Sequence, residues 1–228
     1  MAVQDDRREI EICNLLGLVR GNTRSGVDAH YAPKNKKEIP VEVKSTTTGT
    51  ISTARDVGID HIKKWRERVW VIGFYTRTGK RLENLLILSP RQMEGWIAKI
   101  EEYILPDFLI GKKSCQYLNL DNLNEICGKK TKYSLSDAEQ LHKRQWDRAK
   151  YKKEQDLEDG YSPEKMLKIL KERCLYLNER GSTLNNPHIP KGFLEKYKNI
   201  TLNLSNMSKT QLKDITQKRL EEIREDLK

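Results

Sequence analysis

The sequence predicts an α/β fold of the α+β kind: a mixed central sheet flanked by helices, followed by a helix-rich C-terminal half. Three observations carry this. Residues 26–31 and 39–47 alternate apolar and polar side chains, the period of a half-buried strand. Val69-Trp70-Val71-Ile72-Gly73-Phe74-Tyr75 and Leu85-Leu86-Ile87-Leu88 are nearly continuous apolar runs, as in strands covered on both faces. Beyond about residue 112 strand signals fade and charge rises, with nine Lys/Arg against three Asp/Glu in residues 129–153.

Each element has its own signal. Residues 4–18 predict a helix in which Ile10, Cys13, Leu15 and Leu16 make the apolar stripe and Asp5, Asp6 and Glu9 favour the N-terminal dipole. Arg20 to Gly26 is a turn-rich loop. The strands 26–31 and 39–47, joined by the short basic turn at 33–37, predict an antiparallel hairpin. Residues 45–53 are dense in hydroxyls; they suit either a groove donating to phosphates and base edges or an ordinary threonine-rich strand and loop. Residues 57–67 form a helix with Ile59, Ile62 and Trp65 inward. Ser89-Pro90 opens another over 90–103, serine as N-cap and proline at the first helical position.

In the second half, Ser136-x-x-Glu139 reads as a capping box opening a helix to about residue 153. Its aromatics Trp146 and Tyr151 interleave with Lys143, Arg144, Arg148, Lys150, Lys152 and Lys153. A basic helix of this kind suits nucleic acid, and Lys143, Arg144 and Arg148 are its candidate contacts; a solvated charged face is the alternative. Ser162-Pro163 starts a helix that Gly181 ends. Asn185 and Asn186 follow in a loop of hydrogen-bonding side chains, able to read adenine edges or to form an Asx-rich turn. A last helix, 208–228, shows little apolar stripe and is expected to pack lightly or fray. The expected division is a core of residues 1–112 and a helical basic region, 113–228, for DNA recognition or dimerisation, separate from the core or packed with it as one domain.

Composition narrows the partners. A formal charge of +10 and a pI near 9.3 suit a polyanion, because neutralising phosphates releases counterions. The cysteines at 13, 115, 127 and 174 have no C-x-x-C spacing, which argues against a zinc knuckle. No apolar run approaches the ~18 residues of a membrane span and no secretory h-region opens the chain, so a cytoplasmic protein with no membrane partner is expected.

The most informative residues are Asp28, Glu42 and Lys44. Strand alternation sends Val27, Ala29 and Tyr31 to one face of the first extended segment and Asp28 and His30 to the other. In the second segment Val41 and Val43 enter the core while Glu42, Lys44 and Thr46 share the opposite face. Two adjacent strands thus gather two acids and an amine. That is a donor set for a hard divalent cation beside a water molecule, or an ordinary cross-strand salt bridge.

In Asp28 and Glu42-Val43-Lys44, on a helix–strand–strand–helix–strand frame over residues 5–90, the chain resembles the PD-(D/E)xK nuclease superfamily, and within it the type II restriction endonucleases. It departs from the pattern where Gly26 and Val27 stand in place of the proline that often precedes the aspartate. The resemblance implies a restriction-endonuclease-like sheet and a sequence-specific, Mg2+-dependent endonuclease acting on double-stranded DNA as a homodimer in a prokaryotic cytoplasm, with Mn2+ able to replace Mg2+. Asp28, Glu42 and the Val43 carbonyl would hold the metal, and Lys44 would orient the attacking water. Such nucleases sometimes add a carboxylate from the first helix, here Glu9 or Glu11. His30 is a second accessory candidate, and Arg20, Arg24, Lys36 and Lys37 are candidate phosphate clamps. The alternatives are a repair or junction-resolving nuclease of the same fold, and a basic DNA-binding protein without catalysis.

Overall fold

The computed structural model describes residues 2–21, 27–33, 37–53, 57–179 and 187–226. Asn185, Asn186, Arg24, Lys36 and Gly181 lie outside them. The described chain divides into two compact units: Met1–Glu102 with Leu184–Lys228, and Tyr103–Thr183. The expected single boundary at 112 is thus replaced by an excursion, since the last 45 or so residues rejoin the first unit.

In the first unit a six-stranded mixed sheet is flanked by helices, as the alternation and the apolar runs predict. Its strands are β1 (Val19–Arg20), β2 (Ala29–Tyr31), β3 (Ile39–Thr46), β5 (Val69–Tyr75), β6 (Leu82–Leu88) and β8 (Leu202–Asn203), in that spatial order. The β2–β3 pair is antiparallel, in the hairpin expected from its short link. The β3–β5 pair is parallel, with α2 (Ile59–Arg66) in the connection, and β5–β6 is antiparallel. The central strand β5 is buried along nearly all its length, which is why it lacks alternation. A separate two-stranded ribbon joins β4 (Ile51–Ser52) to β7 (His188–Ile189), and the short helix α8 (Lys191–Glu195) follows it.

One face of the sheet is closed by α1 (Ala2–Leu16) and α9 (Lys209–Asp226). Ile12, Cys13 and Leu16 pack with Val41, Val43, Val69 and Val71, and Leu212, Leu220 and Ile223 join the same cluster. This corrects the reading of the last helix as lightly packed. Positions 212, 216, 220 and 223 make a narrow buried stripe, and the charge around it hid the period. On the other face Trp65, Trp70 and Trp96 form a cluster with ring centroids 5.1–5.8 Å apart.

In the second unit the helices α4 (Leu120–Cys127), α5 (Leu135–His142), α6 (Arg148–Lys153) and α7 (Pro163–Glu179) surround Leu123, Tyr133, Tyr151, Tyr161, Met166 and Ile169. Two expectations fail here. The helix expected over 90–103 is α3 (Pro90–Gln116), which runs through Pro106 instead of ending before it. The basic helix expected over 136–153 is two short helices. Ser134, not Ser136, caps the first, in a capping box with Asp137. The left-handed residues Lys143 and Arg144 end it, and Asp147 caps the second. Two competing caps lie within one apparent period, and local hydrogen bonding prevails over continuity. Among the described residues no helix is long and apolar enough to cross a membrane.

Candidate active site

The site is built on the end of one strand ladder. The β2–β3 register stops at Ala29↔Val41. At the next step the Asp28 side chain substitutes for backbone: its Oδ2 accepts the Val43 N–H at 3.0 Å. The Asp28 carbonyl accepts from Gly21 N–H at 3.0 Å, which holds the residue from the other side. Asp28 is thereby aimed along β3 at the face carrying Glu42 and Lys44.

Lys44 lies at the centre. Its Nζ is 2.8 Å from Asp28 Oδ2, 2.9 Å from Glu42 Oε1 and 3.0 Å from the Val43 carbonyl oxygen. A third carboxylate, Glu9 of α1, reaches to 4.0 Å. Glu42 Oε2 is bonded by Arg68, which immediately precedes β5. The parallel register sets Glu42 beside Trp70, so Arg68, two residues earlier, emerges on the same face of the sheet. Glu42 is buried, its side chain only 6% exposed, while Asp28 keeps 31% of its side-chain surface.

The electrostatics follow from this packing. Burial opposes charge on Lys44, but Glu42, Asp28 and Glu9 outweigh it and raise its pKa well above the ordinary lysine value. Burial likewise works to protonate Glu42; Lys44 and Arg68 prevail, and its pKa is lowered. Lys44 is therefore an ammonium, a donor and a charge, and not a free base.

The three oxygens named as metal ligands all point at one cation, the Lys44 ammonium. Two carboxylates and a main-chain carbonyl are hard oxygen donors of the kind Mg2+ takes, a few from protein and the rest from water and phosphate. In donor chemistry the residues fit such an ion. Among the described residues, no group of three or more His, Cys, Asp or Glu side chains is placed to hold a metal.

The remaining candidates scatter. Glu11 is exposed and accepts from Tyr75 Oη at 3.1 Å, so Glu9, a helical half-turn away, is the carboxylate of α1 near Lys44. His30 Nδ1 lies 3.5 Å from Glu38. The Thr46 hydroxyl turns into its own turn, donating to Thr50 O at 2.8 Å and accepting from Thr48 and Gly49 N–H. Lys143 and Arg144 occupy the break between α5 and α6, and Arg148 begins α6. All three are exposed, while Tyr151, expected to interleave with them, is buried against His142. Arg68 was not among the expected residues. Its signal was available: an arginine one step before a wholly apolar strand has its stem in the core and needs an acid. No protein-family model matches this chain and no curated protein is similar to it, so a functional reading stands on this geometry.

Proposed function

We propose that this protein is a Mg2+-dependent endonuclease of double-stranded DNA, of the restriction type. The observation that carries the reading is the convergence of Asp28 Oδ2, Glu42 Oε1 and Val43 O on a single point, each within 3.0 Å of the Lys44 nitrogen. A phosphodiester repels hydroxide, and a divalent cation supplies both charge neutralisation and a bound water of lowered pKa. Asp28, Glu42 and the Val43 carbonyl would hold that ion. Lys44, fully protonated, would turn aside to hold the attacking water and offset charge developing on the phosphate. Arg68 holds Glu42 in place through the oxygen not offered to the metal. The charge of +10 favours a polyanionic substrate. Two copies related by a two-fold axis would cut both strands of a palindromic site.

A second reading has its own support. Glu42 is claimed from both sides, by Lys44 and Arg68, as in a structural ion network. In that case the protein binds nucleic acid without cutting it. Incubation with supercoiled plasmid in Mg2+, and in parallel with EDTA, separates the two. Discrete fragments that need the metal, and that Asp28→Asn and Lys44→Ala abolish without loss of DNA retention, support the nuclease. Retarded but intact DNA under all conditions refutes it.

A further inference from the structure

We infer that Cys115 and Cys174 form a redox-active dithiol, oxidised by a hydroperoxide to a disulfide that ties α3 to α7 within the helical unit. The cysteines stand far apart in the sequence, and the packing of these two helices brings this pair together. Gly111 and Cys115 lie four residues apart on one face of α3, and Cys174 and Asn178 four apart on one face of α7. The two faces meet antiparallel, Gly111 opposite Asn178 and Cys115 opposite Cys174. A Cβ at Gly111 would come within 2.7 Å of the Asn178 side chain, so the helices approach closely there. One turn on, the Cys115 thiol donates to Cys174 Sγ at 2.8 Å. Asn178 Nδ2 spans the pair: it donates to the Cys174 carbonyl at 2.9 Å, with Cys115 Sγ at 3.4 Å and Cys174 Sγ at 3.6 Å. Lys171 Nζ donates to the Gln116 carbonyl at 3.0 Å, which holds the end of α3 against α7. Both thiols are free and in direct contact.

The two sulfurs differ in access, and that assigns their order. Cys115 is 4% exposed; burial, and then the hydrogen bond to Cys174, pushes its thiol up to about 11, so it stays protonated at neutral pH. Cys174 is half-buried and lines a cavity of about 760 Å³ together with Cys127, Arg173 and Leu177. A small hydroperoxide reaches Cys174 through this cavity. Attack by the Cys174 thiolate breaks the O–O bond and leaves a sulfenic acid and, after protonation, water. The Cys115 sulfur then attacks the Cys174 sulfur. The S–S bond forms, the S–O bond breaks, and the Cys115 proton leaves with the hydroxyl as a second water. Two thiols and one hydrogen peroxide thus give one disulfide and two waters, with two electrons passing to oxygen. The bond closes a loop carrying α4, α5 and α6, which confines the unfolded chain and stabilises the helical unit. In a reducing compartment the dithiol is the resting state and the disulfide records oxidation. The inference rests on α3 and α7 and not on the nuclease reading.

The test uses the full chain without DNA or metal. Treating the reduced protein with hydrogen peroxide should lower the free-thiol count from four to two and remove the mass of two hydrogens, and dithiothreitol should reverse both. Non-reducing digestion and mass spectrometry should recover the Cys115 and Cys174 peptides joined. This mapping is made on the parent chain, so it does not depend on a variant folding. Cys174→Ser should keep its remaining thiols under the same treatment, because Cys115 is buried and protonated. Cys115→Ser should stop at the Cys174 sulfenic acid, trapped by dimedone, a product that thiols packed merely as small hydrophobes would not give. Oxidation should raise the urea midpoint of the parent chain and of neither variant. Four thiols that survive peroxide, a Cys174 bond to Cys127 or to a second chain, two thiols lost from Cys174→Ser, or a Cys115→Ser chain that dimedone does not label would each overturn the inference.

Discussion

Replacing Lys44 with methionine removes the ammonium and keeps most of the stem, leaving Asp28, Glu42 and the Val43 carbonyl facing one another without the cation that joins them. Breaking a buried ion pair from one side costs about 3–5 kcal/mol. Two features set the value at the low end. Glu42 retains Arg68, and Asp28 is 31% exposed, so water takes up part of its charge. The expected loss is ~3 kcal/mol, about a hundredfold in the folding equilibrium. Urea unfolding in EDTA, followed by the fluorescence of the buried Trp65, Trp70 and Trp96, measures it. If the three oxygens accept a divalent ion, Mg2+ at a hundred times its dissociation constant returns about 2.7 kcal/mol to the variant. It returns less to the parent chain, whose ammonium competes for the same oxygens. Sodium chloride at matched ionic strength removes simple screening as the cause. An undiminished stability in EDTA refutes the ion network. A diminished stability that Mg2+ does not restore refutes the cation site.

Three further outcomes are expected. Arg68→Met strands Glu42 Oε2 in a buried position and lowers stability by about 3–5 kcal/mol in urea titration, whereas Arg68→Lys recovers part of this. The folded-state pKa of Glu42 is depressed below its ordinary 4.5, so its contribution is present above that value and fades as pH falls through the folded pKa. Glu42→Gln should therefore be less stable at neutral pH and flatter in its acid limb; an unchanged acid limb would contradict this assignment. Leu220→Ala, at a fully buried position of α9, should cost about 2–5 kcal/mol in thermal melts, and a change below 0.5 kcal/mol would mean the last helix is peripheral.

The parts of the fold that were legible share one property: their signal is local. The alternation in 39–47 marked β3, and the unbroken apolar run in 69–75 marked β5, because strand faces are written in consecutive residues. Where a second local signal competed, the outcome was not legible. Ser134-x-x-Asp137 and Ser136-x-x-Glu139 both offer a cap, and which one closes depends on where Leu135, Ala138 and Leu141 find a core. Pro106 resembles a stop yet lies inside a helix. The basic surface suffered similarly. Tyr151 is spaced among lysines along the chain, but its ring is buried and its helix spans only six residues.

At the site, chemistry was written in the sequence and coordination was not. Strand alternation alone put Glu42 and Lys44 on one face and Asp28 within reach, since a side chain's face in an extended segment depends on nothing but its parity. Whether two carboxylates converge or splay depends on register, and register belongs to pairs of strands. The stop of the β2–β3 ladder at Ala29 turned Asp28 onto Val43 N–H, and the parallel β3–β5 alignment delivered Arg68 to Glu42. The choice between Glu9 and Glu11 was likewise left to packing, because two residues along a helix turn a side chain by about 200° and only the seating of α1 on the sheet selects which one faces Lys44.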